Sequence, residues 1–258
     1  MNILFIGDIF GSPGRDLIKK YLPDLRTEFA IDFCIANGEN TAHGKGITEK
    51  QAAELFKCGI DCFTSGNHIW DNKKSLDYLK NEARILVPLN YSENSIGAKK
   101  YIAKVTNKKI AVINLLGQVY MNPVDSPFIA LEKILPELKK ETDIIFVDFH
   151  AEATAEKRAL GFNFDGRISV LAGTHTHIQT ADEEILPEGT AYITDVGMTG
   201  PHDSCIGIKK EIVLKKMTTS MPQRFEIAED GLQINAVVIS VDETTGKAES
   251  IQRIRRKY

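Results

Sequence analysis

Five short apolar runs of this sequence each lead, within a few residues, to side chains that can bind a metal ion or a proton. The runs are "NILFIG", "DFCIAN", "DCFTSG", "DIIFVDF" and "SVLAG". Segments with helical features separate them, so the first half of the chain is typical of βα units. Functional groups in such folds collect at the carboxyl ends of the strands. The pattern therefore predicts an α/β fold with a polar site at one edge of a sheet.

The polar residues after these runs have the chemistry of metal ligands. They are Asp8, Glu39, Asn40, Asn67, His68, His150, His175 and His177. Polar side chains directly after buried strands are costly unless their groups are compensated, and a cluster of metal ions would compensate them. Imidazole, carboxylate and amide oxygen suit manganese, iron, cobalt or zinc, and the absence of a thiol argues against a structural cysteine-type zinc site.

The number of candidate ligands indicates two ions rather than one. One tetrahedral ion cannot use all of these side chains, whereas two ions that share a carboxylate can. Glu39 is the natural bridge, because a single glutamate can span two neighbouring ions. His175 and His177 lie two residues apart at a strand end, where they can serve different ions.

The glycine-rich stretch "GDIFGSPG" has a second interpretation, as a loop that holds a phosphate directly. Its spacing matches neither the dinucleotide-binding pattern nor the Walker loop. Asp8 would also repel a phosphate unless a cation lay between them. The glycines are therefore interpreted as the turn that lets a helix begin close behind the first strand.

Local signals predict several element boundaries. Ser12 is the expected N-cap of a first helix over about Pro13–Phe29, Thr48 caps a second helix, and Gly59 ends it. Gly161 is expected to stop a short helix that follows "DFH".

The second half of the chain favours a mixed or antiparallel sheet. Two strands between residues 100 and 117 are expected to meet at a tight Asn107-Lys108 turn. The C-terminal alternation around "DETTG" predicts an antiparallel hairpin. No linker or repeat interrupts the sequence, so residues 1–258 are expected to form one domain with two packed sheets and helices outside.

Composition narrows the partners and the compartment. At 43% hydrophobic and 26% charged residues, the chain has the make-up of a soluble globular protein, and the net charge of −3 gives no basic field for a stable nucleic-acid complex. No apolar run is long enough to span a membrane, and no signal peptide is recognisable. The four scattered cysteines are expected to be reduced thiols in a cytoplasmic protein.

The motifs themselves resemble a known family. The blocks "GD", "NGEN", "GNH", "DFH" and "GTHTH" resemble the motif series of the calcineurin-like metallophosphoesterases. The stretches "GDIFGSPGR", "NGENTAHGKG", "GNHIWD", "DFHAEATAEK", "GTHTHIQTAD" and "YITDVGMTGP" resemble the YmdB-type branch, which comprises small bacterial phosphodiesterases. The blocks occur in family order, and the resemblance extends over nearly the whole chain.

The resemblance implies a four-layer αββα sandwich, with two mixed β-sheets flanked by helices. It also implies a dinuclear site with two divalent or mixed-valence transition metal ions, iron or manganese being favoured over zinc or cobalt. The ligands it assigns are Asp8, Asn40 and His177 for one ion, Asn67, His150 and His175 for the other, and Glu39 as the bridge. His68 would be the catalytic histidine that is not a ligand.

The function implied is hydrolysis of 2',3'-cyclic nucleotides, with the 2' bond opened to leave a 3'-phosphate. A hydroxide held between the ions would attack phosphorus, and His68 would donate a proton to the leaving oxygen. The expected partner is thus a small nucleotide, and a homo-oligomer stays open. A phosphomonoesterase or RNA nuclease with the same ions, or a regulatory protein that senses a nucleotide or a metal, remain as alternatives.

Phe10 marks a departure from the wider superfamily, which has Asp-x-His after the first strand and Gly-Asp-x-x-Asp in the second block. Here Phe10 stands in place of the histidine, and Glu39 and Asn40 stand in the second block. The YmdB-type branch shares both changes. Asn40 is therefore expected to replace the missing imidazole as a ligand.

Overall fold

The computed structural model describes all residues from Met1 to Tyr258. In chain order, the strands are β1 Asn2–Ile6, β2 Asp8–Ile9, β3 Phe33–Asn37, β4 Cys62–Thr64, β5 Lys100–Val105, β6 Lys108–Leu116, β7 Ile145–His150, β8 Val170–Thr174, β9 Glu184–Ile185, β10 Ala191–Ile193, β11 Met198–Pro201, β12 Leu232–Val241 and β13 Ala248–Lys257. The α-helices are α1 Gly11–Glu28, α2 Glu49–Lys57, α3 Leu76–Asn81, α4 Pro127–Leu138, α5 Thr154–Asn163 and α6 Lys210–Thr219, and a 3₁₀ turn over Lys73–Ser75 precedes α3.

The strands form two sheets, and both are mixed. The first has the order β2-β11-β12-β1-β3-β4, with β13 also paired to β12. Strands β1, β3 and β4 are parallel, whereas β12 runs antiparallel to β1 and to β13. The second sheet has the order β5-β6-β7-β8-β10-β9, with four parallel central strands and antiparallel edges.

Alternation along β1 shows how the two sheets pack. Leu4 and Ile6 belong to the core between this sheet and helices α1 and α2, whereas Ile3 and Phe5 belong to the core between the sheets. Phe5 meets Phe146 of β7 edge-on, with 4.9 Å between ring centroids. Because successive side chains of a strand point to opposite faces, both faces of the sheet are buried.

A third core lies on the outer face of the second sheet, where Leu131 and Leu135 of α4 and Leu160 of α5 are buried. The layers are therefore helix, sheet, sheet and helix, and the predicted αββα sandwich of the α/β class is confirmed. No helix combines the length and the apolar character that crossing a membrane requires.

Helix boundaries test the capping predictions. Thr48 caps α2 as predicted: its hydroxyl accepts the Gln51 N–H, and the Gln51 side chain accepts the Thr48 N–H. The prediction for α1 is wrong, because the helix begins at Gly11 with Phe10 as N-cap and without a side-chain cap. Strand β2 runs to Ile9, so the helix must start before Ser12 is reached.

The predicted end of α5 and the predicted β5–β6 turn are wrong, and the C-terminal hairpin is confirmed. Helix α5 continues past Gly161, so this glycine does not end the helix. A Cβ there would come within 2.8 Å of the Tyr192 ring, so the glycine allows close packing instead. Strands β5 and β6 are joined by Thr106 and Asn107, with Thr106 at φ +53°, rather than by Asn107 and Lys108. The C-terminal hairpin of β12 and β13 forms as predicted.

Candidate metal centre

The two sheets bring the polar strand ends to one place. Ligand atoms of Glu39, His150 and His175 all lie within 4.8 Å of one another. Asp8 joins them from the first sheet: its Oδ1 lies 3.9 Å from His150 Nδ1, and its Oδ2 accepts the His175 N–H at 3.3 Å. Glu39 Oε2 accepts the backbone N–H of His68 at 2.9 Å. Five of the eight predicted residues thus form a cluster across the inter-sheet edge, whereas no hydrogen bond or ion pair joins Asn40, Asn67 or His177 to it.

Three buried oxygens of the predicted ligands have no hydrogen-bond partner. They are Oδ1 of Asp8, Oδ1 of Asn40 and Oδ1 of Asn67. The amide nitrogen of Asn40 donates to the Gly44 carbonyl at 3.0 Å, which identifies the unpaired end as the oxygen. Buried acceptors without donors are rare and costly, and bound cations would satisfy them. The donor set therefore fits hard or borderline metal ions.

A relay behind His150 fixes which of its nitrogens can bind a metal. The Thr174 hydroxyl donates to Asp148 Oδ1 at 2.7 Å, so it must accept from His150 Nδ1, which lies 2.8 Å away. Nε2 is then the nitrogen that faces the cluster, 2.9 Å from Glu39 Oε1 and 3.0 Å from His175 Nδ1. Such outer hydrogen bonds orient metal-binding histidines and make them more basic.

The pKa values of the cluster residues indicate that their negative charge needs a compensating positive charge. Burial raises the pKa of Asp8 to about 8, against the opposing effect of His150. Burial would also raise the pKa of Glu39, but the charge and hydrogen bond of His150 lower it to about 2. Burial would lower the pKa of His150, yet Glu39 and Asp8 raise it to about 9. A proton on His150 thus compensates the negative charge of the neighbouring carboxylates, and a bound metal ion could take over that role.

His177 is held by two contacts beside this cluster. Its Nδ1 donates to the Ile206 carbonyl at 3.0 Å, so Nε2 is the nitrogen left for a ligand role. The Phe10 ring, buried at the position of the histidine in the wider superfamily, packs edge-on against His177 with 5.5 Å between centroids. Phe10 therefore positions one predicted ligand, whereas a histidine there could have been a ligand itself.

Both histidines of "THTH" have positive φ angles, 105° for His175 and 66° for His177, which is unusual for residues other than glycine. A fully buried ion pair supports this loop. Lys157 Nζ donates to the Thr174 carbonyl at 2.9 Å and to Asp195 at 2.8 Å, and Asp195 accepts the Thr176 N–H at 3.1 Å. The buried Lys157–Asp195 pair thus holds the backbone of this loop through hydrogen bonds to Thr174 and Thr176.

We expect Lys157→Met to lower the free energy of unfolding by about 3–5 kcal/mol, because it leaves Asp195 as an uncompensated buried charge. Urea denaturation followed by circular dichroism measures this loss. The double variant Lys157→Met/Asp195→Asn should recover part of it. Lys109→Met, which breaks an exposed pair with Glu141, is the matched control and should have a much smaller effect. Equal losses for the two single variants would contradict the role of the buried pair.

Glycines allow the chain segments of the site to approach closely. A Cβ on Gly7 would lie 1.8 Å from the Gly197 carbonyl oxygen, and one on Gly14 would lie 2.4 Å from that of Thr199. Gly7 and Gly14 thus allow close packing against Gly197 and Thr199, and of the three predicted turn formers only Gly11, at φ +61°, has a backbone conformation typical of a turn. Gly66 is a further glycine of the site: a Cβ there would lie 2.2 Å from the His150 ring and 2.5 Å from Glu39 Oε2.

His68 stands at the edge of the cluster and is partly exposed. Its Nδ1 lies 2.9 Å from Asp71 Oδ2, which in turn lies 3.6 Å from Lys45 Nζ. The Asp71 carboxylate accepts from Nδ1, so Nε2 is free to act on a bound molecule. Sequence reasoning missed Asp71, although it lies three residues after His68 in "GNHIWD".

Other basic residues of the chain have structural or surface roles. His202 Nε2 donates to the Met198 carbonyl at 2.9 Å, Arg15 donates to the Thr41 carbonyl, and Arg167 forms a surface pair with Glu132. His43 is exposed. Sequence reasoning also missed the residues that support the ligands, which are Asp148, Thr174, Lys157 and Asp195. Asp148 gave one signal, as a charged residue within an apolar strand.

Comparison with known proteins identifies relatives over nearly the whole chain. The family model described as YmdB-like protein matches residues 4–254. The 2',3'-cyclic-nucleotide 2'-phosphodiesterase of Bacillus subtilis (strain 168) is 49% identical over 254 residues, which cover 98% of this chain and 96% of that protein.

Two solved structures extend the comparison. A protein described as a novel phosphatase from Mycoplasma pneumoniae superposes with a TM-score of 0.94 at 37% identity, with 100% of this chain and 93% of that chain covered. A putative 5'-nucleotidase from Staphylococcus aureus, at 19% identity, shares the fold, with a TM-score of 0.63 over 98% of this chain and 54% of that chain. From the family match and the identity to its relatives, the chain belongs to the YmdB-like protein family.

Proposed function

We propose that this protein is a dinuclear-metal phosphodiesterase that hydrolyses 2',3'-cyclic nucleotides and opens the 2' bond to leave a 3'-phosphate. The observation that carries the proposal is the set of unpaired buried oxygens on Asp8, Asn40 and Asn67 beside Glu39, His150 and His175. The substrate class follows from the Bacillus subtilis relative, whose name describes that activity and whose sequence aligns over nearly the full chain.

The residues proposed to hold the ions are the seven ligands predicted from the sequence. One ion would be bound by Asp8, Asn40 and His177, the other by Asn67, His150 and His175, and Glu39 would bridge them. When bound, such ions lower the pKa of a shared water molecule and neutralise charge on the phosphate. Iron and manganese fit the mixture of imidazole, carboxylate and amide oxygen, and zinc and cobalt are further candidates.

The protein's own residues supply the proton for the leaving oxygen. The departing 2' oxygen is a poor leaving group until it is protonated, and His68 is a partly exposed imidazole beside the cluster. Asp71 holds His68 Nδ1, so that Nε2 can carry the proton to the substrate. The backbone N–H of His68 is fixed by Glu39, which ties the position of this acid to the ligand set.

His68→Ala is expected to lower kcat by about 10²–10⁴-fold, the range for a positioned proton donor, while both metal ions stay bound. Steady-state kinetics and elemental analysis of the same preparation measure the two properties. His43→Ala, on an exposed histidine of the neighbouring loop, serves as the control and should change neither. Wild-type kcat in a His68→Ala protein that retains its metals would exclude this role.

A substrate panel tests the proposed function directly. It contains 2',3'-cyclic AMP, 3',5'-cyclic AMP, bis-p-nitrophenyl phosphate, a phosphomonoester and single-stranded RNA, each with added manganese. We expect 2',3'-cyclic AMP to be the best substrate and adenosine 3'-phosphate the product. Preferred cleavage of the phosphomonoester would favour the second candidate, a phosphatase, which the description of the Mycoplasma pneumoniae structure supports. Preferred cleavage of RNA would indicate a nuclease, and metal binding without turnover a sensor.

We also propose that the whole chain acts as one catalytic domain in the cytoplasm. Strand β1 pairs with β12 and β3, so the first sheet joins both ends of the chain. The four cysteines are free, and Cys34 and Cys62 are buried thiols, as in proteins of a reducing compartment. Limited proteolysis and thiol labelling of the native protein test the two points.

A further inference from the structure

A cavity of about 540 Å³ lies between α4 and residues 89–93, on the helix-covered side of the second sheet. Leu116 of β6 is the register partner of His150 on β7. On the other side of Leu116, the Asn90 side chain accepts its N–H at 2.9 Å and donates to its carbonyl at 2.8 Å. These two steps place Asn90 about two strand spacings, roughly 10 Å, from His150. Asn90 also lines the cavity.

Tyr91 connects the cavity to the catalytic side by a second route. Its ring packs against Trp70 with 4.6 Å between centroids, and Trp70 lies two residues after His68. Trp70 is anchored by a hydrogen bond of 3.0 Å from its indole N–H to the Ile96 carbonyl. The half-buried Tyr91 side chain therefore stands between the His68 segment and the cavity that it lines.

The walls of the cavity are of mixed character. The apolar side is formed by Leu89, Ile129, Ala130 and Ile134. The charged side chains are two lysines and two acids: Lys99, Lys133, Glu93 and Asp125. Lys99 already donates to the carbonyls of Pro88 and Tyr91. A second phosphate would meet two carboxylates here, whereas a flat neutral molecule with hydrogen-bonding edges would meet apolar walls and both kinds of polar partner.

We propose that this cavity binds the nucleobase of the substrate whose phosphate lies at the metal cluster, with Tyr91 as the aromatic residue on which the base stacks. The inference rests on the proposed function, because it needs a nucleotide at that cluster. Stacking of a base on an aromatic side chain tolerates every base, since each has a π face. The Tyr91 ring lies on the border between the cavity and the His68 segment, against Trp70 and with Lys99 Nζ 5.8 Å from its centroid.

Tyr91→Ala tests the proposal against a pair of substrates. They are 2',3'-cyclic AMP and methyl ribofuranoside 2',3'-cyclic phosphate, which keeps the strained diester and lacks the base. We expect the KM for 2',3'-cyclic AMP to rise about tenfold or more with kcat little changed, and the constants for the base-free substrate to stay the same. Tyr91→Phe, which keeps the ring, should behave as wild type.

A second variant and a binding measurement do not depend on how Tyr91→Ala folds. Ala130→Phe fills the cavity from α4 and should also raise KM for the nucleotide alone. Calorimetry with adenosine 3'-phosphate should show a matching loss of affinity in both variants. Tyr120→Ala, on an aromatic residue that is 90% exposed and does not line the cavity, is the matched control.

The outcomes separate the two proposals. Hydrolysis of neither cyclic phosphate by the metal-loaded wild-type enzyme would overturn the proposed function. Hydrolysis of both with equal KM in the wild type, or equal losses for both substrates in Tyr91→Ala and Ala130→Phe, would overturn the base site and leave the phosphodiesterase intact. A rise in KM for 2',3'-cyclic AMP in Tyr120→Ala alone would place the base outside the cavity and also overturn the inference.

Discussion

Gly66→Ala is expected to abolish metal binding, although it adds only one methyl group. The new Cβ would lie 2.2 Å from the His150 ring and 2.5 Å from Glu39 Oε2, so two predicted ligands must move. His150 is held from behind by Thr174 and cannot retreat without breaking that hydrogen bond. Since a bound metal supplies several kcal/mol of transition-state stabilisation, we expect kcat/KM to fall by about 10³-fold.

The measurement is metal content by elemental analysis together with kcat/KM for a cyclic nucleotide. Gly161→Ala provides a matched control, because its Cβ would lie 2.8 Å from the Tyr192 ring inside helix α5. That variant introduces a milder steric conflict away from the ligands, so it should lose stability and keep its metals. If Gly66→Ala retained two metal equivalents, the close approach of this backbone to the ligands would not be required.

The grouping of Glu39, His150 and His175 in the candidate site could be predicted from the sequence because these residues follow the strands directly. Glu39, His150 and His175 each come within two residues of a buried strand end, and parallel strands bring such ends to one edge. The type of side chain then indicates metal chemistry without any knowledge of distances. The alternation of strands and helices likewise predicted two packed sheets with helices outside, whereas the four-layer αββα sandwich was implied by the family resemblance.

The supporting residues could not be predicted, because their role depends on contacts between distant segments. Lys157 lies on a helix and has the sequence context of a surface lysine, yet it is fully buried against Asp195. Gly66 has an ordinary backbone conformation, so nothing in the sequence shows that a Cβ would strike His150. The Ser12 cap failed for a similar reason, since the end of β2 decides where α1 begins.

Glu39→Gln is expected to have the second large effect. The substitution keeps the shape of the side chain and an oxygen that can accept the His68 N–H, but it removes the charge proposed to be shared by two ions. Loss of that charge lowers the affinity for both ions. We therefore expect metal content to fall below two equivalents and kcat/KM to fall by about 10³-fold. Glu49→Gln, on an exposed glutamate in the first turn of α2, should change neither.

The two quantities distinguish a bridging carboxylate from one that only orients His68. A bridge affects both metals, and added manganese should restore part of the activity of Glu39→Gln by mass action. A residue that only positions His68 would leave two metal equivalents in place, and excess manganese would not change the rate. Full metal content with a lowered kcat would therefore show that Glu39 positions the proton donor His68 and does not bridge the ions. Full metal content with wild-type kinetics would exclude both roles, because each role predicts a change in metal content or in kcat.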